Sequence, residues 1–141
     1  MTLPSIPKLD CLVPVILRYG MAVVFAWFGA KQLIDPSTWT AFVPAFTTNP
    51  WISPETIILL NGWMEVVGAA LLLAGFWMRP VALVLGLHML FISIETGGAI
   101  GMRDFGLTVA CLAIASSTPD KWTLDKKLGP IDIIESHARV N

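Results

Sequence analysis

The sequence predicts an all-α fold: an integral membrane four-helix bundle with a short interfacial helix between the first two spanning helices. Hydrophobic residues make up 55% of the chain and charged residues 13%, whereas soluble domains have roughly 45–50% and about 25%. A membrane helix needs about 20 mostly apolar residues. Four stretches approach this length, at about 12–33, 56–78, 81–100 and 103–118. The chain, 1–141, therefore fits a single membrane domain.

Charge and cysteine usage exclude several classes of function. The formal net charge of −1 provides no basic surface for nucleic acid. Cys11 and Cys111 lie in or beside apolar runs and match no CxxC or zinc-ligand spacing, so we interpret both as packing residues. We therefore predict no metal site on this chain.

The first apolar run and the connection after it have distinct signals. The run contains Arg18 and has no clear small-x-small cleavage site, so we interpret it as a membrane helix and not as a signal peptide. Asp35 and Pro36 suit the N-cap and first position of a short interfacial helix. This segment is either a lid over a site at that end or a plain amphipathic anchor. Four aromatic residues follow Pro36: Trp39, Phe42, Phe46 and Trp51.

The second predicted helix contains a buried acid, Glu65. One face of this helix repeats small and polar residues at helical spacing: Asn61, Glu65, Gly68, Leu72 and Gly75. An ionisable side chain in hydrocarbon is costly unless it faces the bundle interior, so we expect this face to contact partner helices. Glu65 is then either a functional acid or the partner of a structural ion pair with Lys31 or Arg103.

The third predicted helix follows closely, because Pro80 after Arg79 indicates a tight antiparallel hairpin. His88 and Glu95 lie seven residues apart on one of its faces. His88 is either a satisfied interior histidine or part of a proton relay, because imidazole titrates near neutrality. It is the one histidine at predicted membrane depth, so we expect no haem held by this chain alone.

The fourth apolar run, 105–117, is short, and the glycine-rich residues 97–101 before it disfavour a strong helix. Either this helix extends back through Arg103 and Asp104, or the glycine segment dips into the bundle. The tail, 119–141, mixes charged and apolar residues, which suits a surface helix or a docking segment for a partner.

Basic residues indicate how the chain is oriented. Lys31 and Arg103 are at one end of the predicted bundle, and the opposite end has the larger set: Lys8, Arg79, Lys121, Lys126, Lys127 and Arg139. The positive-inside rule therefore predicts that both termini, with the tail, are cytoplasmic. Ionisable residues collect in the other, outer half: Lys31, Glu65, Glu95, Arg103 and Asp104.

Seven short motifs resemble the DoxX family: LRYG (17–20), GAKQL (29–33), GWMEVVG (62–68), LLAG (72–75), MRPVA (78–82), RDFGL (103–107) and KWTLD (121–125). The resemblance covers most of the chain, from Arg18 to Asp125. It implies a small four-helix bundle in the bacterial or archaeal cytoplasmic membrane. It also implies a redox context, because the family includes a membrane subunit associated with a thiosulfate:quinone oxidoreductase and members linked to redox-stress complexes.

Two functions fit these residues. The first is a quinone-handling subunit of a multi-subunit oxidoreductase, in which Glu65, with Glu95 or His88, exchanges protons with the ring. Other residues would then bind the quinone: Lys31, Trp63, Arg103 and Asp104. No metal, haem or flavin is expected on this chain alone, so its electrons would come from a partner subunit. The second is a non-catalytic accessory subunit that stabilises or assembles a larger membrane complex.

Overall fold

Four long helices form the bulk of the computed structural model, which describes residues 12–48, 51–118, 120 and 122–127. They are α1 (Val13–Ile34), α2 (Pro54–Ala74), α3 (Met78–Thr96) and α4 (Gly98–Ser116). In each helix an 18-residue segment has a mean hydropathy between 1.4 and 1.9, and each helix is long enough to cross a membrane. The described residues contain no β-strand. The predicted all-α membrane bundle is confirmed.

The turn between α2 and α3 lies earlier than predicted. Gly75 ends α2 in the left-handed conformation, with φ of 65°, and the Phe76 N–H donates to the carbonyl of Leu71 at 3.1 Å. This is a helix C-cap that glycine adopts without a Cβ penalty. The helix therefore ends at Ala74, and Pro80 lies in the first turn of α3, where its missing N–H is not needed.

Helix α4 is full length and follows α3 after one residue. Gly97 and Gly98 have φ of 61° and 54°, which reverses the chain direction within a very short turn. The Ser93 hydroxyl donates to the carbonyl of Gly101 at 2.7 Å and joins the two helices beside the turn. Of the two alternatives for the glycine segment, the structure shows the helix that extends through Arg103 and Asp104.

The connection between α1 and α2 contains two 3-10 helices, Pro36–Phe42 and Ala45–Thr47, at the predicted position of the interfacial helix. The Asp35 carboxylate accepts hydrogen bonds from the hydroxyls of Ser37 and Thr38, each at 2.6 Å. These bonds hold the pKa of Asp35 below its usual value. We call this end of the bundle the loop end and the opposite one the turn end.

The apolar core fills the turn half of the bundle. The buried core residues come from all four helices: Met21, Ala22, Phe25, Ala69, Leu72, Met78, Ala82, Leu85, Met89, Cys111 and Ile114. Cys111 has a free thiol and was interpreted from the sequence as a packing residue. Small residues set the helix spacing. A Cβ on Gly29 of α1 would lie 2.7 Å from the carbonyl oxygen of Gly62 on α2, so these two backbones are in contact.

A buried arginine closes the turn end of α2. Arg18 is 0% exposed, and its Nη1 donates to the carbonyls of Leu72 at 2.6 Å and Leu73 at 2.9 Å. These carbonyls belong to the last turn, where no N–H four residues later continues the helix, and the Leu72 carbonyl also accepts from the Gly75 N–H at 3.1 Å. The Arg18 Nε also donates to the Asp120 carboxylate at 3.2 Å. Arg18 therefore has a structural role as a cap of these carbonyls.

The described part of the tail caps α3 from outside that helix. The Asp125 carboxylate accepts hydrogen bonds from the N–H groups of Trp77 at 2.7 Å and Met78 at 2.8 Å. The buried Thr123 packs against Gly75, where a Cβ would lie 2.7 Å from the Thr123 Cα. Residues 120 and 122–127 thus dock on the bundle itself. Predictions that concern Lys8, Cys11, Lys121 and residues 128–141 lie outside the described residues.

Candidate functional site

A cavity of about 490 Å³ occupies the loop half of the bundle, which the core does not fill. It lies between the four helices, and the connection closes part of it with Trp39 and Phe42. Trp39 packs edge-on against Phe28 of α1 with ring centroids 5.8 Å apart. Most of the lining is apolar, and its charged, amide and imidazole side chains are Gln32, Asn61, Glu65, His88, Arg103 and Asp104.

Two amides hold the buried carboxylate of Glu65, which is 3% exposed. Gln32 Nε2 donates to Oε2 at 3.1 Å, and Asn61 Nδ2 donates to Oε1 at 3.0 Å. Asn61 lies one turn before Glu65 on α2, whereas Gln32 reaches it from α1 beside the Gly29–Gly62 contact. Asn61 Nδ2 also donates to Gln32 Oε1 at 2.7 Å. Glu65 therefore contacts two amides, and the proposed ion pair with Lys31 or Arg103 is not observed.

His88 faces this carboxylate from α3. Its Nε2 lies 3.9 Å from Glu65 Oε1, which is too long for a hydrogen bond. The nitrogen is buried and has no hydrogen-bond partner among the described residues. A buried polar atom without a partner is costly and uncommon. A ligand oxygen on the cavity side of this pair, off the line between the two atoms, would be within hydrogen-bonding distance of both and would complete the hydrogen bonding of the imidazole.

A second acid–base pair lies nearer the loop end, on α4. Asp104 is 2% exposed, and its Oδ1 accepts a hydrogen bond from Arg103 Nε at 2.7 Å. The Arg103 guanidinium lies over the ring of Phe28 on α1, 5.4 Å from the ring centroid. Because the side chain of Arg103 is about half exposed, at 54%, it connects the cavity with the outer surface.

The structure brings together four of the seven predicted site residues: Glu65, His88, Arg103 and Asp104. The other three lie elsewhere. Lys31 is exposed, with its Nζ 5.9 Å from the ring centroid of Trp27. Trp63 points outward from α2 and is 58% exposed, because it is about 200° around the helix from Glu65. Glu95 is exposed in the last turn of α3, beside the connection.

Sequence reasoning missed two site residues, Gln32 and Asn61. Their amides at membrane depth were the available signal, since Asn61 is four residues before Glu65 on the same face. The partnership of Gln32 depends on how α1 crosses α2, which spacing within one helix does not reveal. No group of three or more His, Cys, Asp or Glu side chains in the described part of the chain is placed to hold a metal ion.

These features define a class: a small helical membrane protein with four candidate spans and a cavity that contains a carboxylate, an imidazole and a guanidinium. The sequence model of the DoxX family matches residues 13–98, and the chain belongs to this family. The match includes Glu65 and His88 and ends before Arg103. No curated protein and no solved structure is significantly similar to the chain.

Proposed function

We propose that this DoxX protein is a membrane subunit of a redox complex and that its cavity binds the ring of a quinone beside Glu65 and His88. The observation that supports this most is the 3.9 Å gap between Glu65 Oε1 and the unpartnered His88 Nε2. A quinone oxygen beside this pair, on its cavity side, would accept a hydrogen bond from the imidazole. The same position is within reach of a proton held by the carboxyl group.

The cavity fits an aromatic ring with polar oxygens. Its volume of about 490 Å³ is within the usual range for small-molecule pockets, about 300–1,000 Å³. Rings of Phe25, Phe28 and Trp39 are part of the wall. Such pockets combine apolar walls with a few polar groups that fix orientation. When bound, a quinone supplies the redox chemistry: its reduction to the quinol takes up two electrons and two protons.

Five polar residues of the cavity have a definite role in this proposal. Gln32 and Asn61 donate to the two oxygens of Glu65 and fix the orientation of the carboxyl group. Glu65 and His88 hold the protons that the ring oxygens take up, one after the other. Arg103 provides positive charge near a ring oxygen on which negative charge develops. The electrons come from a donor subunit of the complex.

The alternative is a non-catalytic accessory subunit that stabilises or assembles a larger membrane complex. It predicts that Glu65 and Glu95 pair with basic side chains and are shielded from any cavity. Glu65 instead contacts two amides and lines the cavity, which favours the quinone proposal for this residue. Glu95 is exposed and does not line the cavity, so it has no part in the proposed site.

Quinone binding to matched carboxylate variants tests the proposal. The purified full chain, in lipid nanodiscs, is titrated with a short-chain ubiquinone, and bound quinone is quantified after extraction. Glu65→Gln should weaken binding about tenfold, because it places a third amide beside those of Gln32 and Asn61 and leaves one of their donors unpaired. Glu95→Gln is the control, since it makes the same change outside the cavity, and it should bind like the wild type. Equal affinity of the wild type and Glu65→Gln would contradict the proposal.

A further inference from the structure

We infer that the ligand of this cavity is a bilayer-dissolved quinone with a long isoprenoid tail, and that it reaches the site sideways, through the seam between α1 and α4. This inference rests on the proposed function and specifies the substrate class. We define the seam by Val24, Trp27 and Phe28 on α1 and Ile100, Arg103 and Leu107 on α4, all of which line the cavity.

The wall at this seam is one side chain thick. Trp27, Ile100 and Arg103 line the cavity and are also exposed on the outer surface. Trp27 is 54% exposed, Ile100 is 42% exposed, and the side chain of Arg103 is 54% exposed. A residue that meets both the cavity and the surface has nothing packed behind it. Movement of these three side chains alone would therefore connect the cavity with the surrounding lipid.

Backbone contacts at glycines close two of the other three seams: a Cβ on Gly29 would lie 2.7 Å from the Gly62 carbonyl oxygen of α2, and one on Gly101 would lie 2.5 Å from the Ser93 carbonyl oxygen of α3. The α2–α3 seam is filled by Leu85 against Gly68 in the core, and beside the cavity Phe46 of the connection packs edge-on against Phe91 of α3, with ring centroids 6.4 Å apart. No described glycine makes a comparable approach between α1 and α4. Tight helix contacts separate only with backbone movement, so the α1–α4 seam is the one that opens most easily.

A cation–π contact bridges the seam near the cavity. The Arg103 guanidinium lies over the ring of Phe28, 5.4 Å from its centroid, while its Nε is bound to Asp104 on the same helix. The anchored Nε holds the guanidinium close to α4, and no hydrogen bond of Arg103 to α1 is observed among the described residues. Rotation of an exposed side chain takes picoseconds to nanoseconds, so this contact opens without any change of fold.

The depth of the seam indicates what passes through it. At 1.5 Å per residue, Ile100 and Leu107 lie about 3 and 14 Å from the loop end of α4. The seam therefore opens into the hydrocarbon of one leaflet and not into water. The cavity holds a ring, and a long hydrocarbon tail is most favourably placed in the lipid. A ring in the cavity with its tail in the seam satisfies both requirements.

Exchange of two probes in lipid nanodiscs tests the inference: a menaquinone with a long isoprenoid tail and its tail-less ring, 2-methyl-1,4-naphthoquinone. Ile100→Trp fills the seam, and Met102→Trp adds the same side chain at a position that is 70% exposed and does not line the cavity. We expect Ile100→Trp to slow binding of the tailed quinone about tenfold and to change that of the ring less than about twofold. Met102→Trp should match the wild type for both.

A second variant, which makes the side chain at position 100 smaller instead of larger, distinguishes an effect on access from misfolding of Ile100→Trp. Ile100→Ala widens the seam and should speed exchange of the tailed quinone while leaving the ring unaffected. If both Ile100 variants bind the two probes at wild-type rates, or change both equally, access through the seam is refuted and the proposed quinone site stands. If the wild type binds neither probe, the proposed function itself fails, and this inference fails with it.

Discussion

Replacing Asp125 tests whether the tail caps α3 as the structure shows. The Asp125 carboxylate accepts hydrogen bonds from Trp77 N–H at 2.7 Å and Met78 N–H at 2.8 Å, at the positive end of the helix dipole. Loss of a helix N-cap costs about 0.5–2 kcal/mol, typically about 1 kcal/mol. Asp125→Ala removes the acceptor of two N–H groups at once. We therefore expect its cost in the free energy of unfolding to be in the upper part of this range.

The assay is unfolding of the full chain in mixed micelles by added sodium dodecyl sulfate, followed by circular dichroism. Asp125→Asn keeps an acceptor and loses the charge, so it should lose only about 0.3–1 kcal/mol. Lys126→Ala, at the exposed neighbouring residue, should leave the free energy of unfolding unchanged. If Asp125→Ala unfolds at the same detergent fraction as the wild type, the capping role of the tail is wrong.

Two further predictions concern helix packing and the buried arginine. Gly29→Ala should destabilise the bundle by about 1–3 kcal/mol and weaken quinone binding, because its Cβ would lie 2.7 Å from the Gly62 carbonyl oxygen beside the Gln32–Glu65 hydrogen bond. Gly20→Ala is its control: no atom lies within 4 Å of the new Cβ, and helix propensity should stabilise it by about 0.5–1 kcal/mol. Arg18→Met should cost about 3–5 kcal/mol, since it leaves the Asp120 carboxylate without its charged partner, and adding Asp120→Asn should restore part of that loss. Equal stability of the two glycine variants, or no recovery in the double variant, would contradict these assignments.

The fold was predictable because its main signal is local. Hydrocarbon thickness requires about 20 apolar residues for each spanning helix, and this length is visible directly in the chain. The helix ends were less predictable. Helix α2 ends at the left-handed Gly75, and α3 is capped by Asp125, which is far along the chain. A cap supplied from a distant segment leaves no pattern at the helix that it stabilises.

The site was predictable only in part. Spacing on α2 placed Glu65 and Asn61 on the inner face, as the structure shows. Trp63 was predicted to bind the quinone, but it lies two residues from Glu65, and residues two apart on a helix do not share a face. The meeting of Gln32 with Glu65 depends on a crossing between two helices, for which the glycine positions indicate contact but not register.

The pairing on α4 shows the same limit. Arg103 and Asp104 are adjacent in sequence; both were candidates for binding the quinone, and Arg103 was also a candidate ion-pair partner of Glu65. They pair instead with each other, and Arg103 also reaches the ring of Phe28 on α1. The side-chain rotamer of Arg103 decides between these partners, and rotamers depend on neighbours that the helical period does not identify. The orientation with both termini in the cytoplasm stays a prediction from the distribution of basic residues.

Native mass spectrometry of the protein purified from its own membranes tests the central claim most directly, because it detects partner subunits and retained small molecules together. The account predicts a complex that contains this chain, a cofactor-bearing donor subunit and a quinone, and it predicts loss of the quinone in Glu65→Gln with the subunits still assembled. A complex that retains its cofactor-bearing subunits but never a quinone would contradict the account and favour the accessory role.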